Sequence, residues 1–244
     1  MFMSYIFYLV LGVIPSLIWL SFYLKKDAHP EPKKTVLKIF FLGMGAAALA
    51  ALIENLILIG LSRSGLLGSF TEIVYLFLGV ALTEEFLKYL AVKNKYFIAK
   101  NGVLRESEFD EPVDVMLYMI ISALGFAALE NIFLFFSENL QFLETFLIAL
   151  LRFAGATFLH ALCSGILGLF MAFSFFDKKR KRFFLTSGFF IATLLHGLFN
   201  FFIIKTGGNW QFFLPLLMLG GLAVFVSLGF KKLKKMASVC KVNP

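Results

Sequence analysis

Residues 113–137 read VDVMLYMIISALGFAALENIFLFFS, and Asp114 and Glu130 are the only acidic or basic residues among them. About 20 mostly apolar residues are enough for an α-helix to cross a bilayer core of about 30 Å. This stretch is therefore predicted to be a transmembrane helix. Six further stretches of similar character occur in the chain, and together they decide the fold class.

The composition of the whole chain is that of an integral membrane protein. Hydrophobic residues make up 60% of the 244 residues and charged residues 16%, whereas globular proteins carry about 25% charged residues. A soluble domain of this length could not bury so much apolar surface. We predict an all-α fold, a polytopic membrane helix bundle of about seven transmembrane helices, as a single integral membrane domain over residues 1–244. The predicted crossings are Tyr5–Leu24, Val36–Leu61, Phe70–Val92, Val113–Ser137, Thr145–Phe176, Phe183–Ile204 and Phe212–Phe230.

The basic residues predict the orientation of these crossings. Of the 23 lysine and arginine residues, 19 lie in or beside the first, third and fifth connections and in the C-terminal tail. Basic residues are enriched on the cytoplasmic side of membrane proteins. We therefore expect the N-terminus outside and the C-terminus in the cytoplasm. The net charge of +8 follows from this topology, so no nucleic-acid partner is expected.

A few polar side chains lie inside the predicted crossings. Ionisable groups at such positions are costly and are functional candidates by default. Away from the ends of the crossings, the acidic, basic and histidine residues are Glu54, Glu84, Glu85, Lys88, Glu130, Arg152, His160 and His196, and the neighbouring amides are Asn55, Asn131 and Asn200.

The sequence 84–88 reads EEFLK. Glu84 and Lys88 are four residues apart and share a helix face, whereas Glu85 is turned about 100° away. A structural ion pair therefore explains one glutamate and leaves the other without a partner. Two adjacent carboxylates at membrane depth suit a general base or a metal ligand.

Two of the three histidines of the chain are also inside predicted crossings. His160 has Ser164 one turn later, and His196 has Asn200 one turn later. A lone buried histidine is more often a satisfied core residue, but two with polar neighbours favour function. They could bind Zn²⁺, or hold a water molecule and an oxyanion without a metal.

The depth of these residues presents a geometric difficulty. At 1.5 Å per residue, Glu84 and His160 lie about 20 Å from the outer ends of their stretches. His196 lies about 20 Å, and Glu130 about 25 Å, from the inner ends of theirs. The two pairs are then expected in different layers of the membrane. The fifth stretch is longer than a bilayer requires and is expected to protrude or tilt, with Arg152 reaching toward Glu144.

Four motifs in order resemble the PrsW family of bacterial intramembrane proteases, which is related to the CAAX-prenyl-protease superfamily. They are EExxK, GFAxxEN, HxxxS and HxxxN, on four successive predicted helices between residues 70 and 204, the expected catalytic core. In this sequence they are Glu84, Glu85 and Lys88; Gly125, Phe126, Ala127, Glu130 and Asn131; His160 and Ser164; His196 and Asn200.

The resemblance implies an intramembrane endopeptidase of the bacterial cell membrane that makes the first cut in a single-pass anti-sigma factor. It implies Glu84, Glu85, His160 and His196 as the catalytic set, with Lys88, Glu130, Asn131, Ser164 and Asn200 in supporting or substrate-binding roles. If a metal is used, we expect zinc, with His160, His196 and Glu85 as ligands. A metal-free glutamate mechanism stays open.

Two other classes of function remain possible on the residues alone. Buried Glu and His residues also form the relays of proton- or ion-coupled transporters. The similar settings of Glu54-Asn55 and Glu130-Asn131 favour that class mildly, since transporters are built from repeats. A membrane scaffold that uses polar residues only to join helices is the third possibility.

Overall fold

The structure is a computed structural model and describes residues 2–27, 29–65, 68–97, 111–138 and 141–236. The regular secondary structure of these ranges is helical, with no strand among them. A π-helical stretch, Tyr75–Ala81, joins α3 to α4, and a 3-10 turn, Lys178–Arg180, precedes α8. The helices are α1 (Phe2–Leu24), α2 (Lys33–Arg63), α3 (Ser69–Val74), α4 (Leu82–Phe97), α5 (Pro112–Glu138), α6 (Phe142–Ala154), α7 (Ala156–Phe176), α8 (Lys181–Lys205) and α9 (Trp210–Leu233).

Six helical spans in the described part of the chain are long and apolar enough to cross a membrane. This confirms the prediction of a polytopic helical bundle. The predicted third crossing is helical as well, because α3, the π-helical stretch and α4 follow one another without a break from residue 69 to residue 97. We call this continuous stretch segment 69–97. It is less apolar than the other six because it carries the EExxK motif.

Contacts between helix ends agree with seven crossings of alternating direction. Tyr5, near the start of α1, stacks on Phe136, near the end of α5, with ring centres 5.5 Å apart. Lys205, at the end of α8, forms an ion pair with Glu72 in α3. The C-terminal ends of α1 and α9 meet at the opposite end of the bundle. Following the predicted orientation, we call the end with Tyr5 and Lys205 the outer end and the other the inner end.

The helix that contains the 113–137 stretch, α5, lies at the centre of the bundle. All of its residues from Pro112 to Ala128 are buried. Its main neighbours are α1, α2, α4 and α7, and it also touches α6 and α9. A helix that is apolar on every side is expected in such a position. Glu130 and Asn131, about two turns before the end of α5, belong to the site described below.

Small residues allow α2 and α5 to cross at backbone contact. A Cβ atom on Gly125 would overlap the carbonyl oxygen of Phe40, and one on Gly43 would overlap that of Ser122. Membrane helices use such small residues to approach closely, since lipid supplies no hydrophobic force to press them together. The glycine of the GFAxxEN motif therefore has a packing role.

The predicted fifth crossing, Thr145–Phe176, is two helices. The chain breaks at Gly155, whose φ of −106° and ψ of −97° are not helical. The 21 residues of α7 measure about 31 Å, which by itself matches the bilayer core. The indole nitrogen of Trp19 in α1 donates a hydrogen bond of 2.9 Å to the carbonyl oxygen of Phe153, next to the break. The residues in excess of one crossing are therefore those of α6, whose last turn packs against α1 at Trp19.

Candidate active site

Glu84, Glu85 and Lys88 lie in the first two turns of α4, and all three side chains are buried. Nζ of Lys88 lies 3.1 Å from Oε2 of Glu84 and 2.9 Å from Oε1 of Glu85. The sequence predicted a pair with Glu84 alone. Residues three apart on a helix are also neighbours, so one ammonium group contacts both carboxylates. Nζ lies in addition 4.2 Å from the centre of the Phe126 ring in α5.

His160 in α7 and His196 in α8 lie edge to face, with their ring centres 5.0 Å apart. Nδ1 of His160 lies 2.8 Å from Nζ of Lys88. An ammonium group only donates, so this nitrogen accepts, and we assign the ring proton to Nε2, which donates to Oε2 of Glu130 at 2.8 Å. Nδ1 of His196 lies 3.0 Å from Oε1 of Glu85. The expectation of two separate layers is therefore wrong.

The prediction placed the residues in two layers because it counted depth along two crossings that are longer than the bilayer core. Segment 69–97 measures about 43 Å at 1.5 Å per residue, against a core of about 30 Å. Its outer end therefore extends beyond the core, and Glu84 lies at a lesser depth than its distance from that end suggests. His160 follows the break at Gly155 by about 8 Å of helix instead of lying about 20 Å inside an uninterrupted one.

Arg152, near the end of α6, closes the outer side of the site. Its NH2 lies 2.9 Å from Oε2 of Glu130. Its Nε donates to Oδ1 of Asn131, whose Nδ2 donates to Oγ1 of Thr157 at 3.2 Å. The side chain of Glu130 is 37% exposed, whereas that of Glu84 is 6% exposed. Glu130 is therefore the site carboxylate that is most accessible from outside the cluster.

The two supporting residues predicted one turn after the histidines differ in their contacts. Oγ of Ser164 donates a hydrogen bond of 2.7 Å to Oε2 of Glu85. Asn200 is half-buried and lies on the turn of α8 outward of His196. Ser164 therefore joins the central cluster directly, and Asn200 lies beside it.

Arg152 belongs to this site through a partner that the sequence did not predict. We expected it to reach toward Glu144, but Oε2 of Glu144 accepts the backbone N–H of Gln141 at 3.1 Å and forms the N-terminal capping box of α6. Arg152 turns inward to Glu130 instead. The available signal was its position, since an arginine inside a membrane crossing is a functional candidate by default.

Three buried donor atoms are close enough together to hold a metal ion. Glu84, His160 and His196 each offer one ligand atom, and these atoms lie within 4.8 Å of one another. Oε2 of Glu84 is 3.7 Å from Nδ1 of His160 and 3.8 Å from Nε2 of His196. The geometry favours Glu84 as the carboxylate ligand over Glu85, because both oxygens of Glu85 are held by Lys88, His196 and Ser164.

The surroundings of these three atoms also suit a cation. Metal-binding histidines usually donate the N–H of their other ring nitrogen to a carboxylate, a backbone carbonyl or water. Here Glu130 faces Nε2 of His160, and Glu85 faces Nδ1 of His196. The cluster holds three carboxylates against two cationic side chains, so one negative charge is in excess. Nζ of Lys88 contacts two of the three donor atoms. A metal ion bound to them must displace it.

Comparison with known proteins agrees with this arrangement. Residues 31–230 match the family described as PrsW family intramembrane metalloprotease. Protease PrsW of Geobacillus kaustophilus (strain HTA426) is 32% identical over 209 residues, which cover 85% of this chain and 84% of that protein. Protease PrsW of Bacillus subtilis (strain 168) is 31% identical over 231 residues, covering 93% of this chain and 94% of that protein. No solved structure matches the chain. The chain therefore belongs to the PrsW family of intramembrane metalloproteases.

Proposed function

We propose that the chain hydrolyses a peptide bond of a single-span membrane protein at the cluster of Glu84, His160 and His196. One observation carries this proposal: three buried donor atoms from three different helices converge, and a second carboxylate faces each histidine. Preorganised groups of this kind are usually the largest contribution to catalysis.

The residues that would hold the metal are Glu84 through Oε2, His160 through Nδ1 and His196 through Nε2. When bound, a metal ion supplies Lewis-acid polarisation of the carbonyl group that is attacked. Glu130 and Glu85 fix the orientations of the two imidazole rings, because each accepts or shares the proton of the nitrogen that faces away from the donor set. Zinc fits a set of two histidines and one glutamate.

We assign Glu84 as the general base that accepts a proton from the attacking water. Among the described residues, its Oε1 has no hydrogen bond, whereas Oε2 faces Lys88 and the histidines. Glu85 is a positioning residue, because Lys88, His196 and Ser164 already occupy its oxygens. Proton transfer by a positioned carboxylate contributes about 10²–10⁴ in rate.

A groove beside Glu84 offers a path for the substrate from the lipid. It has a volume of about 350 Å³ and lies between α2 and α4. Its lining is mostly apolar and includes Thr83 and Leu87, which flank Glu84 on α4, and Ile53 on α2. A transmembrane substrate that unwinds locally at this groove would present its backbone to the site. Asn200 and Lys88 are the side chains that we assign to stabilise the oxyanion.

The substrate class that we propose is a single-pass anti-sigma factor, cut at its first cleavage site. This part rests on the resemblance of the four motifs and not on the geometry of the site. The ion-coupled transporter, which the buried Glu and His residues also suit, is not favoured because the chain belongs to a family of proteases.

Cleavage by the purified full chain in liposomes tests the proposal. Glu84→Gln, His160→Ala and His196→Ala should each abolish cleavage of a co-reconstituted anti-sigma factor and lower the metal content measured by elemental analysis. Glu138→Gln is the matched control, because Glu138 is an exposed carboxylate two turns beyond Glu130 on α5. This variant should cleave like the unmodified chain.

Two results bear on different parts of the proposal. Undiminished cleavage by Glu84→Gln and His196→Ala would refute the assignment of the site. Cleavage of other single-span proteins at the same rate as the anti-sigma factor would refute the substrate class and leave the site intact.

A further inference from the structure

A second cavity lies between the C-terminal parts of α1 and α9. None of the active-site residues lines it, and its deepest residues, Phe153 and Phe158, are near neighbours in sequence of Arg152 and His160. It has a volume of about 590 Å³, within the range of about 300–1,000 Å³ typical of ligand pockets. Its walls are the C-terminal parts of α1 and α9, and Phe158 of α7 lies at its base. Trp19 and Phe22 on α1 face Ala223 and Phe230 on α9 across it. We call this cavity the α1–α9 groove.

The length of the α1–α9 groove matches one leaflet of a bilayer. The lining residues of α9 run from Ala223 to Lys234, about 16 Å of helix. Half of a hydrocarbon core of about 30 Å is about 15 Å. The apolar lining of α9, from Ala223 to Phe230, measures about 10 Å and ends at the lysines of the inner surface. This length accommodates most of one acyl chain of a lipid in the inner leaflet.

The inner mouth of the α1–α9 groove is strongly basic. It is lined by Lys26, two residues after α1, by Lys231 in the last turn of α9 and by Lys234 directly after α9, and no described lining residue is acidic. Nζ of Lys26 lies 4.5 Å from the centre of the Phe22 ring, so this ammonium group is held at the edge of the apolar wall. Ser227 lies one turn inside Lys231 on the same face of α9, at the level where a lipid carries its ester groups.

We propose that the α1–α9 groove binds an anionic phospholipid of the cytoplasmic leaflet. The phosphate lies among Lys26, Lys231 and Lys234, and one acyl chain lies against Trp19 and Phe158. Basic pockets between membrane helices on the cytoplasmic side bind anionic head groups. This site is separate from the peptidase site and does not depend on the proposed function.

The charges argue against a second copy of the chain as the occupant. A twofold interface places the same surface patch of both copies together. The lysines of the inner mouth would then face those of the other copy, with no acidic lining residue in the groove to offset them. An anionic lipid instead supplies the opposite charge.

Two pairs of lysines on the same helix end give a matched test. Lys231 and Lys234 line the groove, whereas Lys232 points to the Phe173 ring, 4.8 Å from its centre, and Lys235 is exposed outside the groove. The full chain in detergent is titrated with phosphatidylglycerol and with phosphatidylcholine, and bound lipid is counted by native mass spectrometry. Lys231→Gln/Lys234→Gln should weaken phosphatidylglycerol binding roughly 25-fold, since each basic residue contributes about fivefold. Lys232→Gln/Lys235→Gln removes the same charge and should change binding less than threefold.

A second pair of variants tests the apolar part without any change of charge. Ala223→Phe fills the groove and should abolish retention of phosphatidylglycerol. Val224→Phe adds a ring at the next residue, which is 62% exposed on α9 and does not line the groove, and should retain the lipid. Elution volume and circular dichroism confirm that each variant is folded.

Three outcomes would overturn the proposal. Equal weakening by the two lysine pairs would show only a diffuse attraction to the surface. Equal binding of phosphatidylcholine by the unmodified chain would show that the lysines do not select the lipid. Dimers that are lost with Ala223→Phe would assign the groove to a second copy.

Discussion

The ion pair between Arg152 and Glu130 should couple α6 to α5 at the candidate active site. Removing one member of a fully buried pair costs about 3–5 kcal/mol, whereas an exposed pair contributes about 0–1 kcal/mol. The two side chains are 17% and 37% exposed, which places this pair between those limits. We therefore expect a coupling free energy of about 2 kcal/mol, or roughly 30-fold in an equilibrium constant. Arg152→Met keeps most of the side-chain volume while it removes the charge.

A double-mutant cycle isolates this coupling. Arg152→Met, Glu130→Gln and the combined variant are unfolded reversibly in mixed micelles of increasing dodecyl sulfate content, and the free energies of unfolding are compared. The control cycle pairs Arg152→Met with Glu144→Gln, because Glu144 lies about 12 Å along α6 from Arg152 and caps the helix. Its coupling should stay below about 0.5 kcal/mol. A larger coupling with Glu144 than with Glu130 would refute the inward position of Arg152.

Further predictions concern packing, the site and the inner surface. Gly125→Ala should destabilise the fold by about 1–3 kcal/mol, because the added methyl group meets the backbone of α2 at Phe40. Gly45→Ala is the control, because its methyl group has open space and the change should be neutral or stabilising. Unfolding in mixed micelles measures both. Ser164→Ala should slow cleavage about tenfold without affecting membrane insertion. Glu85, which we propose positions His196, then loses the hydrogen bond from Ser164, and a hydrogen bond to a charged group contributes about 1.5 kcal/mol. The Arg180 side chain and backbone N–H hold the pKa of Asp177 below its ordinary value. The stabilising contact is therefore present above the unfolded pKa and is lost as pH falls through the folded pKa. In an NMR titration, replacing Arg180 by glutamine should raise the midpoint of Asp177; an unchanged midpoint would contradict this cause.

Much of the candidate site follows from the sequence. Ionisable residues inside apolar helices carry a large desolvation cost, so Glu84, Glu85, His160 and His196 could be selected by their positions alone. Their relative positions could not. The ammonium group of Lys88 contacts both glutamates and also Nδ1 of His160, so its position depends on where α7 places that histidine. The position of Glu130 likewise depends on packing, because its contact with His160 joins α5 to α7.

The role of Arg152 shows most clearly why the rest needed the structure. Along the chain its plausible partner was Glu144, two turns away on the same helix. The break at Gly155 ends α6 beside the last turns of α5, so Arg152 meets Glu130 there. A helix break is a local backbone feature, but its effect is to change which side chains of other helices are within reach.

The amino-acid sequence alone determined that the chain is a helical membrane protein and which polar residues must be buried, because apolar length and the cost of desolvation depend only on local composition. Tertiary structure alone decided that Glu84 and the two histidines share one layer, that Glu85 is held by three partners and that Arg152 faces inward. These outcomes depend on where each helix begins and breaks and on how closely helices cross, as at Gly125. Such quantities arise from packing among segments far apart in the chain.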